Sequence, residues 1–294
     1  MITVFTPTFN RAYIIENLYK SLQAQTDKDF EWVVVDDGSS DNTKELFEKF
    51  ASNDNGFTIT YQIQPNGGKH RAINRGVELA KGELFFIVDS DDYLTENAIE
   101  KIKSWANSLG EGKWAGVSGV RGYNETTPIG QAPTAQFVDA TNLERDDKKL
   151  LGDKAEVYFT DILRKYPFPE FDGENFITEE VVWNAIAYDG YKIRWYSDII
   201  YVCEYIADGL TKSGDTKYIN NPQGTLYWAK QQLKFFAGNK RKKYSAIHRY
   251  CVAVKGKKKR AQICADLGVS GLTLTMATTA VKLGRLIKKV LRKG

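Results

Sequence analysis

At 294 residues the chain is long enough for one large domain or a domain with an appendage, and 42% hydrophobic with 27% charged residues excludes a disordered chain. The net charge of +4 is unevenly held, with carboxylates concentrated in the first two thirds and Lys and Arg crowded between Lys240 and Lys293. Cys203, Cys251 and Cys264 stand apart without a CxxC pair, which argues against a zinc site or a disulfide framework and makes a cytoplasmic, reducing setting the expectation.

Ile2 to Phe5 predicts a first strand directly after Met1, with no basic n-region and long apolar stretch, so no secretory signal is expected. Ile14, Leu18 and Leu22 recur at helical spacing, with Asn10 as a candidate cap. Trp32 to Val35 is the next strand, and Ser40 and Asp41 introduce a helix with Leu46, Phe47 and Phe50 on one face. Thr58 to Ile63 predicts a third strand, Lys69 to Ala80 a helix stopped near Gly82, and Leu84 to Val88 a fourth strand. Thr95 is read as the cap of a helix bearing Ile99, Ile102, Ala106 and Leu109, before a strand over Ala115 to Val120. This alternation is the pattern of an α/β fold, a Rossmann-like, mostly parallel central sheet flanked by helices.

Between residues 125 and 175 the pattern weakens into Gly, Pro and charge clusters with aromatics such as Tyr158, Phe159, Phe168 and Phe171, and loops with short elements are expected. Thr178 to Tyr188 predicts a helix and Tyr191 to Tyr201 a long strand or strand pair. Residues 1–222 are expected to form one domain and 223–294 a helical, basic C-terminal extension. No transmembrane segment is expected, because the longest uncharged stretch, Leu267 to Val281, falls short of the roughly 20 apolar residues a spanning helix needs. On a helical projection Met276, Ala280, Leu283, Leu286, Ile287, Val290 and Leu291 share one face, while Lys282, Arg285, Lys288, Lys289, Arg292 and Lys293 share the other. Such a helix suits an anionic membrane surface, or packing on its own domain with a solvated basic face, better than nucleic acid.

In a sheet of this kind ligands bind beyond the carboxyl ends of the strands. There the chain carries Thr6-Pro7-Thr8-Phe9-Asn10-Arg11, Asp36-Asp37-Gly38-Ser39-Ser40-Asp41 and Asp89-Ser90-Asp91-Asp92. Three carboxylates within four residues repel one another unless a cation offsets them, and hard oxygen donors favour Mn²⁺ or Mg²⁺ bridging diphosphate oxygens. An acidic turn capping the next helix is the plainer alternative for the same residues. Asp36 and Asp37 can accept from a base N–H or ribose hydroxyl, or simply serve a helix N-terminus. Asn66-Gly67-Gly68-Lys69 precedes a helix, so free backbone amides and a cation are expected to face phosphate. It is not a Walker loop, and no Gly-x-Gly-x-x-Gly follows the first strand. With only His70 and His248 available, imidazole chemistry has little support, and the carboxylates Glu179 and Glu180 remain as candidate bases.

Taken together, Pro7-Thr8-Phe9-Asn10-Arg11, Val35 to Asp41, Asp89-Ser90-Asp91-Asp92 and Thr178-Glu179-Glu180 resemble the family-2 glycosyltransferases of the A-type fold. The resemblance implies a metal-dependent, inverting, hexosyltransferase-like enzyme that moves a sugar from UDP to a hydroxyl of a glycan or lipid-linked acceptor in bacterial-type cell-surface polysaccharide or glycolipid synthesis. It implies a nucleotide-binding half over residues 1–110 and an acceptor-binding half over 111–222. By that likeness Pro7, Thr8, Phe9, Arg11, Asp37, Lys69, Asp89 and Ser90 attend the nucleotide, and Asp91 with Asp89 holds the metal. Glu180 is the general base, with Glu179 as the substitute because Glu stands where Asp is commoner. Arg194-Trp195 matches part of the processive synthases' Gln-x-x-Arg-Trp, but Tyr191 holds the Gln position, which favours single-sugar transfer. Asp208-Gly209-Leu210-Thr211 is a candidate loop near the diphosphate. The competing expectations are a binding module that has lost catalysis and a nucleotidylyltransferase. A peripheral location on the cytoplasmic face of the membrane fits the basic extension.

Overall fold

Four strands build the first half of the sheet: β1 (Ile2–Thr8), β2 (Phe30–Asp36), β3 (Thr58–Ile63) and β4 (Leu84–Ile87). All their pairings are parallel, in the order β3-β2-β1-β4, with α1 (Glu16–Gln23), α2 (Thr43–Ala51) and α3 (Lys69–Leu79) as the crossovers. Parallel strands covered on both faces need apolar residues on both, and β1 and β2 supply them. Ile2, Val4, Trp32 and Val34 join the main core with Leu18 and Phe47, whereas Phe5 turns to the opposite face, toward α3. There Gly76 lets the helix approach so closely that a Cβ would lie 2.2 Å from the Phe5 ring.

The computed structural model describes residues 1–204 and 214–291, with side chains of the last helix described to residue 284. Asp208-Gly209-Leu210-Thr211 therefore lies outside the described residues. After β5 (Tyr93–Leu94) and α4 (Ala98–Asn107) come β6 (Trp114–Gly122), β7 (Phe137–Ala140), β8 (Lys154–Phe159), α5 (Thr160–Lys165), α6 (Glu180–Tyr188) and β9 (Lys192–Val202). Among the described residues the strands form one nine-stranded sheet. β8 runs antiparallel to both β4 and β6, so β6 points the same way as β4, and β9 is parallel to β6. The carboxyl ends of β1, β2, β3, β4, β6 and β9 consequently share one edge.

Several local expectations change. Asn10 does not cap α1; it sits in the left-handed region (φ 53°), and its Oδ1 accepts from the Ser40 amide at 2.8 Å, tying two loops together. Thr95 offers its carbonyl, not its side chain, to Ala98. The short elements in the stretch expected as loops with short elements are β7 and β8, whose partners are distant in sequence and whose pattern is interrupted by the buried Lys154. Of the long strand or strand pair expected over Tyr191 to Tyr201, the structure has the long strand, β9.

Contacts divide the chain into two compact units, Met1–Phe168 with Val182–Asp208, and Pro169–Val181 with Gly209–Gly294. The second unit consists of α7 (Thr216–Asn220), α8 (Pro222–Phe235), α9 (Lys240–Ala253), α10 (Arg260–Leu267) and α11 (Gly271–Leu291), together with residues 169–181. The boundary expected at residue 222 thus falls at the first residue of α8. No single helix among the described residues is long and apolar enough to cross a membrane.

Candidate active site at the carboxyl edge of the sheet

The edge is assembled by register. Thr8 pairs with Asp36, the Asp37 amide donates to the Thr8 carbonyl at 2.8 Å, and the Val88 amide donates to the Phe5 carbonyl at 2.8 Å. The loops after β1, β2 and β4 therefore emerge side by side. Asp37 is buried, and its carboxylate accepts from Gln64 Nε2 (2.9 Å), Gly67 N (2.9 Å) and Gly68 N (2.7 Å). Gly68, at φ 94°, supplies the backbone conformation that aims these amides inward. The amides expected to face phosphate are thus occupied by Asp37, because a buried carboxylate at a helix N-terminus is the nearer anion. A carboxylate offers about four lone-pair sites, so three bonds leave Asp37 room for one more donor. Asp36 accepts from the Ser39 amide at 2.7 Å and from the Tyr61 hydroxyl.

Lys69 opens α3, and its Nζ lies 2.6 Å from Asp89 Oδ1, while Arg121 Nη1 lies 3.6 Å from Oδ2. Burial opposes charge on Asp89, but the two cations outweigh it and hold the carboxyl down at about 2. Arg121 leaves the end of β6, donates through Nε to the Lys154 carbonyl at 2.9 Å, and stacks 4.2 Å from the centre of the Tyr201 ring. Tyr201, near the end of β9, accepts from the Asp89 amide at 3.0 Å and donates to Asp92 Oδ2 at 2.6 Å. Asp92 also accepts from the Glu204 amide at 2.9 Å, so it anchors the acidic turn to β9. Burial and the charge of Asp89 push its carboxyl up to about 7. Asp91 is raised by the same two causes in the same order.

Two carboxylates, Asp89 and Asp91, are hard donors of the kind that suit Mg²⁺ or Mn²⁺, and the upward push on Asp91 is relieved by an added cation. The described residues include no cluster of three or more His, Cys, Asp or Glu able to enclose an ion, so further ligands would come from substrate and water. Ser90 is buried in the turn, and the Thr8 hydroxyl is buried with no hydrogen-bond partner among the described residues. Phe9 is 47% exposed at the mouth of the β1 loop, Pro7 is half-buried, and Arg11 donates to the Tyr13 hydroxyl at 3.0 Å. The structure thus brings Pro7, Thr8, Phe9, Arg11, Asp37, Lys69, Asp89, Ser90 and Asp91 to one edge. Arg121 and Tyr201 were missed by sequence reasoning, although both stand at the ends of strands pointing to that edge.

Glu179 and Glu180 belong to the second unit. The stretch before them is stitched to α8: Glu174 accepts from Gln223 N (2.7 Å) and Gly224 N (2.8 Å), and Asn221 Oδ1 accepts from Asn175 N (2.8 Å) and Phe176 N (3.1 Å). Glu180, at the start of α6, receives Trp228 Nε1 on Oε2 at 2.8 Å and Gln232 Nε2 on Oε1 at 3.0 Å. These two bonds hold one oxygen each and so fix the plane of the carboxylate. Glu179 is half-buried beside it.

A parallel half-sheet whose carboxyl edge gathers an acidic turn, a helix-opening lysine and a buried base-of-loop aspartate defines an A-type glycosyltransferase fold. The family model for glycosyl transferase family 2 matches residues 3–156, more than half of the chain, and the protein belongs to that family. It is 37% identical over 102 residues to the glycosyltransferase GlyG of Streptococcus pneumoniae, covering 35% of this chain and 34% of that protein. It is 36% identical over 110 residues to the GalNAc(5)-diNAcBac-PP-undecaprenol beta-1,3-glucosyltransferase of Campylobacter jejuni, covering 36% and 34%. The matches thus span about a third of these curated relatives. Among solved structures, S. aureus TarS 1–349 in complex with UDP superposes with a TM-score of 0.63 at 20% identity, covering 94% of this chain and 80% of that one. The Pyrobaculum calidifontis mannosyltransferase PcManGT, solved with GDP-Man and Mn²⁺, gives 0.56 at 19% identity over 100% and 88%. At these identities the structural likeness establishes the fold.

Proposed function

We propose that the protein transfers a sugar from a UDP-sugar to an acceptor hydroxyl with inversion, in the synthesis of a cell-surface glycan or glycolipid. The observation that carries this reading is the pairing, on one sheet edge, of a preformed acidic turn with Asp37, whose buried carboxylate keeps one acceptor site. That site suits the N–H of a uracil ring, with Pro7 and the exposed face of Phe9 bordering the base. Lys69 and Arg121 keep Asp89 charged and oriented before any ligand arrives, so the edge needs little rearrangement on binding. A divalent ion held by Asp91 with Asp89 would supply charge neutralisation at the departing diphosphate.

Glu180 is the general base in this proposal, on its match to the last position of Thr178-Glu179-Glu180. Trp228 Nε1 and Gln232 Nε2 orient its carboxylate, and in this proposal that carboxylate takes the proton of the attacking hydroxyl. Attack opposite the nucleotide then gives inversion without a covalent enzyme intermediate. The test is a screen of UDP-sugars for release of UDP with Mn²⁺, Mg²⁺ or chelator. Metal-dependent UDP release from at least one donor is expected. Release of pyrophosphate, or UDP binding without any turnover across donors and acceptors, would overturn the reading in favour of a nucleotidylyltransferase or a binding module.

A further inference from the structure

From Lys240 to Gly294 the chain carries sixteen lysines and arginines against one carboxylate, Asp266, whereas residues 1–239 carry 25 against 36. Part of this basic excess is presented by two neighbouring elements of the second unit. Lys255, Lys257, Lys258, Lys259 and Arg260 are exposed between α9 and α10. Arg260 Nη2 then bonds the Gly271 carbonyl and the Thr275 hydroxyl, which fastens this run beside the first turns of α11.

α11 meets α10 at an angle of 97°, after Gly268 in the left-handed region closes α10. Its buried side is given by Leu274 and Ala277. The opposite side exposes Leu272 (69%), Met276 (43%) and Leu283 (56%), which fall within a narrow arc on a 100°-per-residue projection. Thr279 lies on the same arc, and Thr275 and exposed Lys282 flank it on the side where Arg260 is bonded. An apolar ridge is thus bordered by cations from two elements.

We infer that this face, the α11 ridge Leu272, Met276 and Leu283 with the Lys255–Arg260 run, lies on an anionic phospholipid surface. Charge complementarity selects the occupant: the ridge supplies apolar side chains for the headgroup boundary, and the flanking cations meet lipid phosphate. A second copy that paired this face with itself would set cation against cation, because Asp266 is the one carboxylate from Lys240 to Gly294 and is already bonded to Lys258 at 2.8 Å and Tyr250 at 2.6 Å. The inference is independent of the donor chemistry proposed above.

The experiment is sedimentation of the full chain with vesicles of phosphatidylcholine alone and of phosphatidylcholine with phosphatidylglycerol, at low and high salt. Two variants are compared, Leu272→Ser/Met276→Ser/Leu283→Ser and Lys255→Glu/Lys257→Glu/Lys259→Glu. Thermal melting and UDP affinity, expected to be unchanged, establish that each variant is folded. Binding to the anionic vesicles alone is expected, with each triple variant losing about tenfold or more in partitioning. Equal binding to neutral vesicles, no binding to either, or full binding by the apolar variant would overturn the inference. The last result, accompanied by salt-sensitive capture of RNA, would assign the face to a polyanion.

Discussion

The sheet edge and the helical unit use charge in opposite ways. At the edge three carboxylates of the site are held from inside: Asp89 by the cations Lys69 and Arg121, Asp37 by two backbone amides and Gln64, Asp92 by Tyr201 and the Glu204 amide. In the helical unit, from Lys240 to Gly294, sixteen cations stand against one carboxylate, Asp266. Charge balanced in the interior fixes geometry, because at low dielectric an unpaired ion is costly and a paired one is oriented. Charge left unbalanced at the surface fixes little locally, and acts on an oppositely charged partner across a distance set by salt.

The largest expected effect tests whether chemistry depends on the helical unit at all. Glu180→Gln should lower kcat by roughly 10²- to 10⁴-fold while leaving UDP affinity near the parental value, as read by UDP release and calorimetry. If Glu179→Gln shows that loss and Glu180→Gln does not, the base moves by one residue and Glu180 becomes the anchor on α8. Next in size, Asp91→Ala should reduce metal-dependent transfer by about 10²-fold, and should abolish the difference in UDP affinity between Mn²⁺ and chelator. An unchanged difference would place the ion elsewhere.

Internal balance at the edge is broken more gently by Arg121→Met, which leaves Asp89 with one cation and removes the bond to the Lys154 carbonyl. Urea unfolding should show a loss of about 3 kcal/mol, with Arg121→Lys recovering only part, because an ammonium cannot stack, bond and pair at once. Parental stability in Arg121→Met would mean that Lys69 alone suffices. The smallest effect concerns Lys154, where burial, and then the charge of Arg145, lowers the ammonium to about 8 from 10.5. The unfolded chain binds the extra proton between those values, so this group makes stability rise with pH from about 8 to 10.5. Lys154→Met should flatten that rise by an amount of the order of 2 kcal/mol, measured as the difference between the two proteins' unfolding curves at each pH.

The parallel half of the sheet was legible because its signals are local. An apolar run such as Trp32 to Val35, bounded by a polar turn, specifies a strand and marks where its carboxyl end will open. That rule alone located Asp37, Asp89 and Asp91, and the family resemblance named Glu180 without any contact being visible. The basic run after Lys240 was equally plain, since composition needs no partner to be read.

What only tertiary structure decided are the relations between groups far apart in the chain. The Asp37 carboxylate meets Gly67 and Gly68 thirty residues on, so a turn that read as a phosphate cradle is already filled by the protein's own anion. Arg121 reaches Asp89 because β8 inserts antiparallel between β4 and β6 and turns β6 to the same edge, which no periodicity within residues 125–175 announced. Trp228 and Gln232 hold Glu180 across some fifty residues, from a helix the sequence reading had assigned to a separate extension. Sequence periodicity reports which face of an element is buried, whereas the partner of a polar group is fixed by how elements pack, because only packing sets which donor is within reach when water is excluded.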